Sequence, residues 1–342
     1  MLNKISNNFL LPSAAFTLNR GKIKFWKPFG KRRPKIGDLV FGVVTNLGQH
    51  KTLENKSGRI HAIYKGTNII AIFGNRYAPN YYEGVIPKNI TGEVDLLARS
   101  GVIGLVLTKN DQVIDPTKVK IYGYVCDKKG KILNTRDCPL ISPNKAIKNS
   151  PRSKMILVCG TSMNSGKSSV VFTCCQTLSF YGHRVKMAKV TGTASLKDIL
   201  GASDAGAKPV ADFSYLGYPS TYLLKKQDVL DIFNKLDLKY ANNPKNYWVV
   251  EFADGINQRE TRMLLMAEDV RKRIHKFIFC ASDAFGAIGG IKKLRENFNL
   301  EPDLISGICS SSPLHIREIK EFINKPVLNS HNPNMEELIK LL

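Results

Sequence analysis

The chain has 342 residues, 43% of them hydrophobic and 23% charged, with a net charge of +23. That is the composition of a globular protein with a substantial core, and its length suits two domains. No apolar run approaches the roughly 20 residues of a membrane-spanning helix, and seven cysteines without a C-x-x-C pair argue against a disulfide framework or a zinc site and for a reducing cytoplasm.

Residues 1–37 read as a basic, flexible lead. The stretch Phe9–Phe16 is too short and interrupted for the apolar core of a cleaved signal peptide. No acidic residue occurs before Asp38, whereas Arg20, Lys22, Lys24, Lys27, Lys31, Arg32, Arg33 and Lys35 accumulate around Phe25, Trp26 and Phe29. Such a run suits either a solvated tail or a surface for phosphate backbones, so nucleic acid is a candidate partner.

Residues 38–145 read as a smaller β-rich domain, barrel-like or sandwich-like. Short β-branched runs at Leu39–Val44, Arg59–Tyr64, Ile69–Phe73, Val102–Leu107 and Val119–Tyr124 alternate with glycine turns. Gly74–Asn80 is either a ligand or interface loop or a structured connection. Residues 146–154, with Pro151 and the lysines Lys148 and Lys154, read as a linker.

From 155 to 342 the pattern becomes α/β. Strands at Met155–Cys159, Arg184–Lys189, Tyr247–Glu251, Lys276–Cys280 and Leu304–Cys309 alternate with helical periods at Gly166–Tyr181 and Gly290–Asn297, which predicts a parallel sheet covered by helices. Between the first strand and the first helix stands GTSMNSGKSS, residues 160–169. It has the Gly-Lys-Ser of a phosphate-binding P-loop in the required strand–loop–helix context, but its first glycine lies one residue early. Backbone N–H groups of such a loop turn toward phosphate oxygens, and the helix N-terminus adds its dipole. Gly160, Thr161, Asn164, Ser165, Gly166, Lys167, Ser168 and Ser169 are therefore the candidate nucleotide-binding residues. Lys167 is placed to reach the β/γ-phosphates and the Ser168 hydroxyl to ligate Mg²⁺.

The early glycine followed by Thr161 resembles the loop of the dethiobiotin synthetase group of P-loop proteins. The resemblance continues through Lys189-Val190-Thr191-Gly192, Ser203-Asp204-Ala205, Val249–Gly255 and Ala284–Gly289, over residues 155–312. It implies an ATP- and Mg²⁺-dependent enzyme, a ligase or kinase, that phosphorylates a carboxylate or carbamate of a small-molecule substrate for attack by nitrogen. It also implies catalytic roles for Lys167, Lys189 and Glu251, metal ligation by Ser168, Asp204 and Glu251, and a homodimer as a candidate assembly. Asp254 fits either a turn or chemistry, and Arg259 either an anion contact or a helix-start salt bridge. Asp212–Tyr222 fits either a substrate loop or packed aromatics. The pattern departs from that group after Leu304–Cys309, where serines stand in place of an asparagine near adenine; Ser310 is the candidate for the base edge. The first 145 residues have no counterpart there. The alternative is a nucleotide-switch NTPase whose basic N-terminal half binds nucleic acid or a protein partner.

Overall fold

In a computed structural model, residues 2–6, 8–90, 92–141 and 151–342 are described; residues 146–150 of the expected linker lie outside them. The chain forms two compact units. One comprises Met1–Ile141 with Gly192–Lys197 and Phe213–Tyr222, and the other Ser142–Thr191, Asp198–Asp212 and Leu223–Leu342.

The first unit contains β1 (Asn3–Lys4), β2 (Phe25–Lys27), β3 (Leu39–Asn46), β4 (Thr52–Glu54), β5 (Ile60–Ala62), β6 (Asn68–Phe73), β7 (Arg76–Tyr77), β8 (Tyr82–Val85), β9 (Glu93–Leu96), β10 (Val102–Lys109) and β11 (Lys118–Cys126). β3 pairs with β6 and β11, β6 runs parallel to β10, and β9 bridges β10 and β11. Those five strands therefore close on themselves as a barrel. Alternate residues point inward, as the strand period of two requires: Val40, Val44, Ile69, Ala71, Phe73, Val94, Leu96, Ile103, Val119 and Ile121 meet in one core.

The lead differs from the flexible segment expected of it. β1 pairs with β2 and β2 with β11, while Ile5, Phe9, Leu11, Ala14, Ala15, Leu18 and Ile23 are buried. Apolar residues spaced irregularly among lysines are enough to dock a segment that lacks any strand or helix period. Gly74–Asn80 is a structured connection: Asn75 donates to the carbonyl of Tyr222 at 3.2 Å, and buried Arg76 lies 5.2 Å from the ring of Tyr81. The aromatics of Phe213–Tyr222 also pack. Tyr215 meets Phe16 edge-on at 5.1 Å, Arg136 stacks 4.4 Å from Tyr218, and the Tyr222 hydroxyl donates to Glu83 at 2.7 Å.

The second unit is α/β. It carries β12 (Lys154–Gly160), α1 (Lys167–Phe180), β13 (Val185–Lys189), α2 (Leu196–Asp204, whose first two residues belong to the first unit), β14 (Val210–Asp212), α3 (Lys226–Tyr240), β15 (Tyr247–Glu251), α4 (Arg259–Leu265), α5 (Glu268–Arg271), β16 (Ile274–Cys280), α6 (Ala284–Phe298), β17 (Leu304–Ser306), α7 (Pro313–Phe322) and α8 (Met335–Leu341). All six strands are parallel, in the order β14-β13-β15-β12-β16-β17. β12 from Met155 onward and all of β15 are buried, the mark of central strands covered on both faces. Phe233 of α3 packs against Trp248 and Phe252, with ring centroids 5.7 and 6.2 Å away.

Replacing Phe233 by alanine leaves a cavity beside β15 and is expected to destabilise this unit by about 3–5 kcal/mol. Urea unfolding followed by Trp248 emission, in a Trp26→Phe background, measures the change.

Candidate functional site

The loop after β12 is shaped by backbone constraints more than by side chains. Asn164 (φ 62°) and Gly166 (φ 92°) take left-handed conformations that curl the chain back before α1. A Cβ at Gly166 would lie 2.8 Å from Cα of Gly307, and one at Gly255 would lie 2.2 Å from the carbonyl oxygen of Thr161. Both glycines thus allow neighbouring backbone to press against the loop. The N–H of Thr161 donates to Cys280 at 2.9 Å, and the carbonyl of buried Ser165 accepts from Ile308 at 3.2 Å. As the residue before α1, Gly166 offers no capping side chain. The first N–H groups of the helix therefore remain available to an anion, which the helix dipole also favours. Lys167 folds over the loop and donates to the Ser162 carbonyl at 2.6 Å. Ser169 is half-buried in the first turn and Asn164 is exposed.

Beside the loop, strand register assembles the charges. Glu251, the last residue of β15, lies opposite Val158 of β12 on one side and Lys189, the last residue of β13, on the other. Lys189 Nζ is 3.2 Å from Glu251 Oε1 and 2.5 Å from Asp198 Oδ2. The Ser168 hydroxyl donates to Glu251 Oε2 at 3.3 Å. The side chains of Glu251, Lys189 and Asp198 are only 2%, 13% and 14% exposed. Burial by itself pushes the Lys189 ammonium down, but Asp198, Glu251 and Asp254 together raise it above the ordinary lysine range. Ser168, Glu251, Lys189 and Asp198 thus form a continuous polar chain from the first turn of α1 to the first turn of α2.

Asp204 does not join this chain. It is exposed at the last position of α2, six residues or about 9 Å along the helix axis from Asp198. α2 also runs the wrong way for it. A Cβ on Gly201 would touch the ring of Phe172, and one on Gly206 would lie 2.4 Å from Ser179 Oγ, near the far end of α1. The acid brought to Lys189 is Asp198, which the sequence reading missed; an acid in the first turn of a helix nine residues past a strand-end lysine was its only signal. Ser310 is buried in a 3-10 turn, where its hydroxyl donates to the Gly307 carbonyl at 2.7 Å and its lone pairs remain acceptors. Arg259 makes the helix-start salt bridge, 2.5 Å from Glu260, and donates to the Leu224 carbonyl at 2.7 Å. Among the described residues no group of three or more His, Cys, Asp or Glu is arranged to hold a metal ion, so a cation here would need Ser168 and phosphate oxygens beside Glu251.

No protein-family model and no curated protein matches this sequence. Among solved structures, the signal recognition particle receptor FtsY of Elizabethkingia anophelis in complex with GDP matches 56% of this chain and 61% of its own, at 11% identity and a TM-score of 0.37. A second structure of that receptor matches 61% of this chain and 71% of its own, at 13% identity and a TM-score of 0.37. FtsY of Mycoplasma mycoides matches 57% and 64%, at 15% identity and a TM-score of 0.34. The chain therefore spans less than two thirds of the first of these. Likeness this slight says nothing of activity. The strand–loop–helix at 160–168, set on a parallel sheet, is by its own geometry a P-loop NTPase fold, and none of the three matches is a dethiobiotin synthetase.

Behind the loop lies a set of buried thiols. Burial pushes Cys159 and Cys174 up to about 12 and Cys280 well above its ordinary value. At pH 8 such groups are protonated and shielded, hence unreactive. Titration of the native protein with a chromogenic disulfide should detect only Cys138, the one cysteine that is not buried, and all seven after denaturation. Lys189→Ala leaves two buried carboxylates without their cation and is expected to cost about 3–5 kcal/mol. Because folding raises the Lys189 pKa, its contribution is fully present below the unfolded value of about 10.4 and is lost as the pH rises beyond it. Urea melts of wild type and variant should therefore differ fully at pH 7, and the difference should narrow by less than about 1 kcal/mol at pH 11, because the loss runs at no more than about 1.36 kcal/mol per pH unit above the unfolded value.

Proposed function

We propose that the second unit binds a nucleoside triphosphate with Mg²⁺ at the 160–168 loop and transfers its γ-phosphoryl group to an acceptor. The observation that carries this reading is the buried chain Ser168–Glu251–Lys189, set beside the uncapped start of α1 and Lys167. The residues fit the metal: a hydroxyl and a carboxylate are hard oxygen donors already within 3.3 Å of each other. Ser168 and Glu251 would hold it, and it would supply neutralising charge on the β- and γ-phosphates.

The chain's own cations do the rest. Lys167 leaves the Ser162 carbonyl to meet phosphate oxygens. Lys189, fixed by Asp198 and Glu251, faces charge that grows on the transferred group without having to reorganise. The resemblance to the dethiobiotin synthetase group supports ATP as the donor and a small-molecule carboxylate or carbamate as the acceptor. An acceptor oxygen then attacks the γ-phosphorus, the bond to the β-bridging oxygen breaks, and the nucleoside diphosphate leaves with that electron pair. Attack of nitrogen on the acyl carbon would release inorganic phosphate. Buried, unpaired thiols suit a reducing compartment such as the cytoplasm.

Phosphate release from ATP and from GTP with Mg²⁺, alone and with a pooled metabolite extract plus bicarbonate, tests the reading. Wild type should turn over ATP faster when metabolites are added, and Lys167→Ala should lose about 100-fold or more of that rate. Unchanged turnover in Lys167→Ala would sink the site assignment, and a rate indifferent to metabolites would sink the acceptor.

A further inference from the structure

The basic lead has a structural consequence in the first unit. It does not trail into solvent but forms one wall of a groove whose other wall is the hairpin turn after β11. A cleft of about 460 Å³ lies between residues 18–25 and 127–138. A second, of about 870 Å³, continues between residues 27–38 and 130–137. The two share Lys131, Ile132, Asn134 and Asp137, so they adjoin along the same hairpin.

Five lysines line the first cleft and four further Lys or Arg side chains the second, nine in all, against three aspartates. Each aspartate is already engaged. Asp38 is fully buried and held by Arg32 at 2.6 Å. Asp127 accepts backbone N–H groups of Lys129 and Lys131 at 2.8 and 2.9 Å. Asp137 lies 3.3 Å from Lys131. Lys22, Lys24, Lys128 and Lys129 are exposed and have no ion pair among the described residues. Ordered backbone therefore holds several like charges along the two adjoining clefts, an arrangement that repels itself until a polyanion neutralises it.

The floor is apolar. Leu18, Phe25, Ile132 and Leu133 line it between the lysines, and Phe25 is only partly buried. Cations on the rim with an aromatic and aliphatic floor match a strand whose phosphates run outside and whose bases turn inward. A duplex, with its bases already stacked, would leave that floor unused.

We propose that this groove binds single-stranded nucleic acid, with the lysines of the lead and of the β11 hairpin on its phosphates and Phe25 against a base. The site is independent of the P-loop and needs no nucleotide turnover.

The test is fluorescence anisotropy of the full chain with labelled 20-nucleotide oligouridylate and oligothymidylate, and with a duplex of the same length, across a salt series. The single strands should bind with log affinity falling linearly with log salt. Combining Lys24→Glu with Lys129→Glu should weaken binding at least tenfold. Neutralising the same pair to glutamine should flatten the slope by about 1.4, from roughly 0.7 per lost phosphate contact on single strands. Phe25→Ala should weaken binding by about fivefold to a hundredfold. The control Lys320→Glu with Lys340→Glu, exposed residues of the other unit carrying the same change of charge, should retain affinity within about threefold, a margin set by long-range steering alone. Equal loss in both reversed pairs would overturn the groove and leave only net charge as the cause. So would undetectable binding by wild type. A duplex bound as tightly as the single strand, or an unaltered Phe25→Ala, would overturn the single-strand assignment.

Discussion

The ion pair between Lys189 and Glu251 is the constraint on which the candidate site depends. Both residues end central strands of a parallel sheet, where helices cover the faces and water is scarce. A charge there is tolerated only with a counter-charge and further hydrogen bonds. Glu251 obtains them from Lys189 and Ser168, and Lys189 obtains them from Glu251 and Asp198. Each group thereby fixes the next, so the first turns of α1 and α2 are tied to the same strand edge. Such pairs add little net stability over apolar packing; what they provide here is position.

The loop that completes the site is held by a second kind of constraint, close approach of backbone. Gly166, Gly255 and Gly307 are places where a side chain would collide with neighbouring main chain within 3 Å. Such contacts leave the loop few alternative shapes, and its N–H groups can be oriented before a ligand arrives. Preorganised donors avoid reorganisation when charge develops.

The first unit has a buried carboxylate of its own that fixes part of its backbone. Gly192–Lys197, which joins Lys189 to Asp198, belongs to that unit. Buried Glu54 accepts the N–H of Leu196 at 2.9 Å and the hydroxyl of Ser13 at 2.5 Å. Glu54 thus ties Gly192–Lys197 and Ser13 together within that unit. Phe213–Tyr222, between β14 and α3, is likewise part of it. The barrel in turn depends on β9, a four-residue strand that joins β10 to β11 and so closes the ring.

What the sequence by itself determined is local. Apolar runs such as Met155–Cys159 and Tyr247–Val250 read as buried strands, Gly-Lys-Ser between a strand and a helix marks the loop, and a glutamate ending an apolar strand marks an acid beside it. Each signal is carried by neighbours in the chain. Tertiary structure alone decided the rest. Asp198 and Asp204 lie on one short helix, and only the direction of α2 along α1 selects Asp198 as the partner of Lys189. Ser310 looks exposed until its turn folds, buries it and turns its O–H to Gly307. Closure of the barrel required β9 to find two partners at once, and the lead, read as a flexible tail, became half of a groove because Phe9, Leu11, Leu18 and Ile23 found a core to enter. In each of these cases the deciding interaction joins residues distant in the chain or on different elements, and no pattern within a window of sequence encodes it.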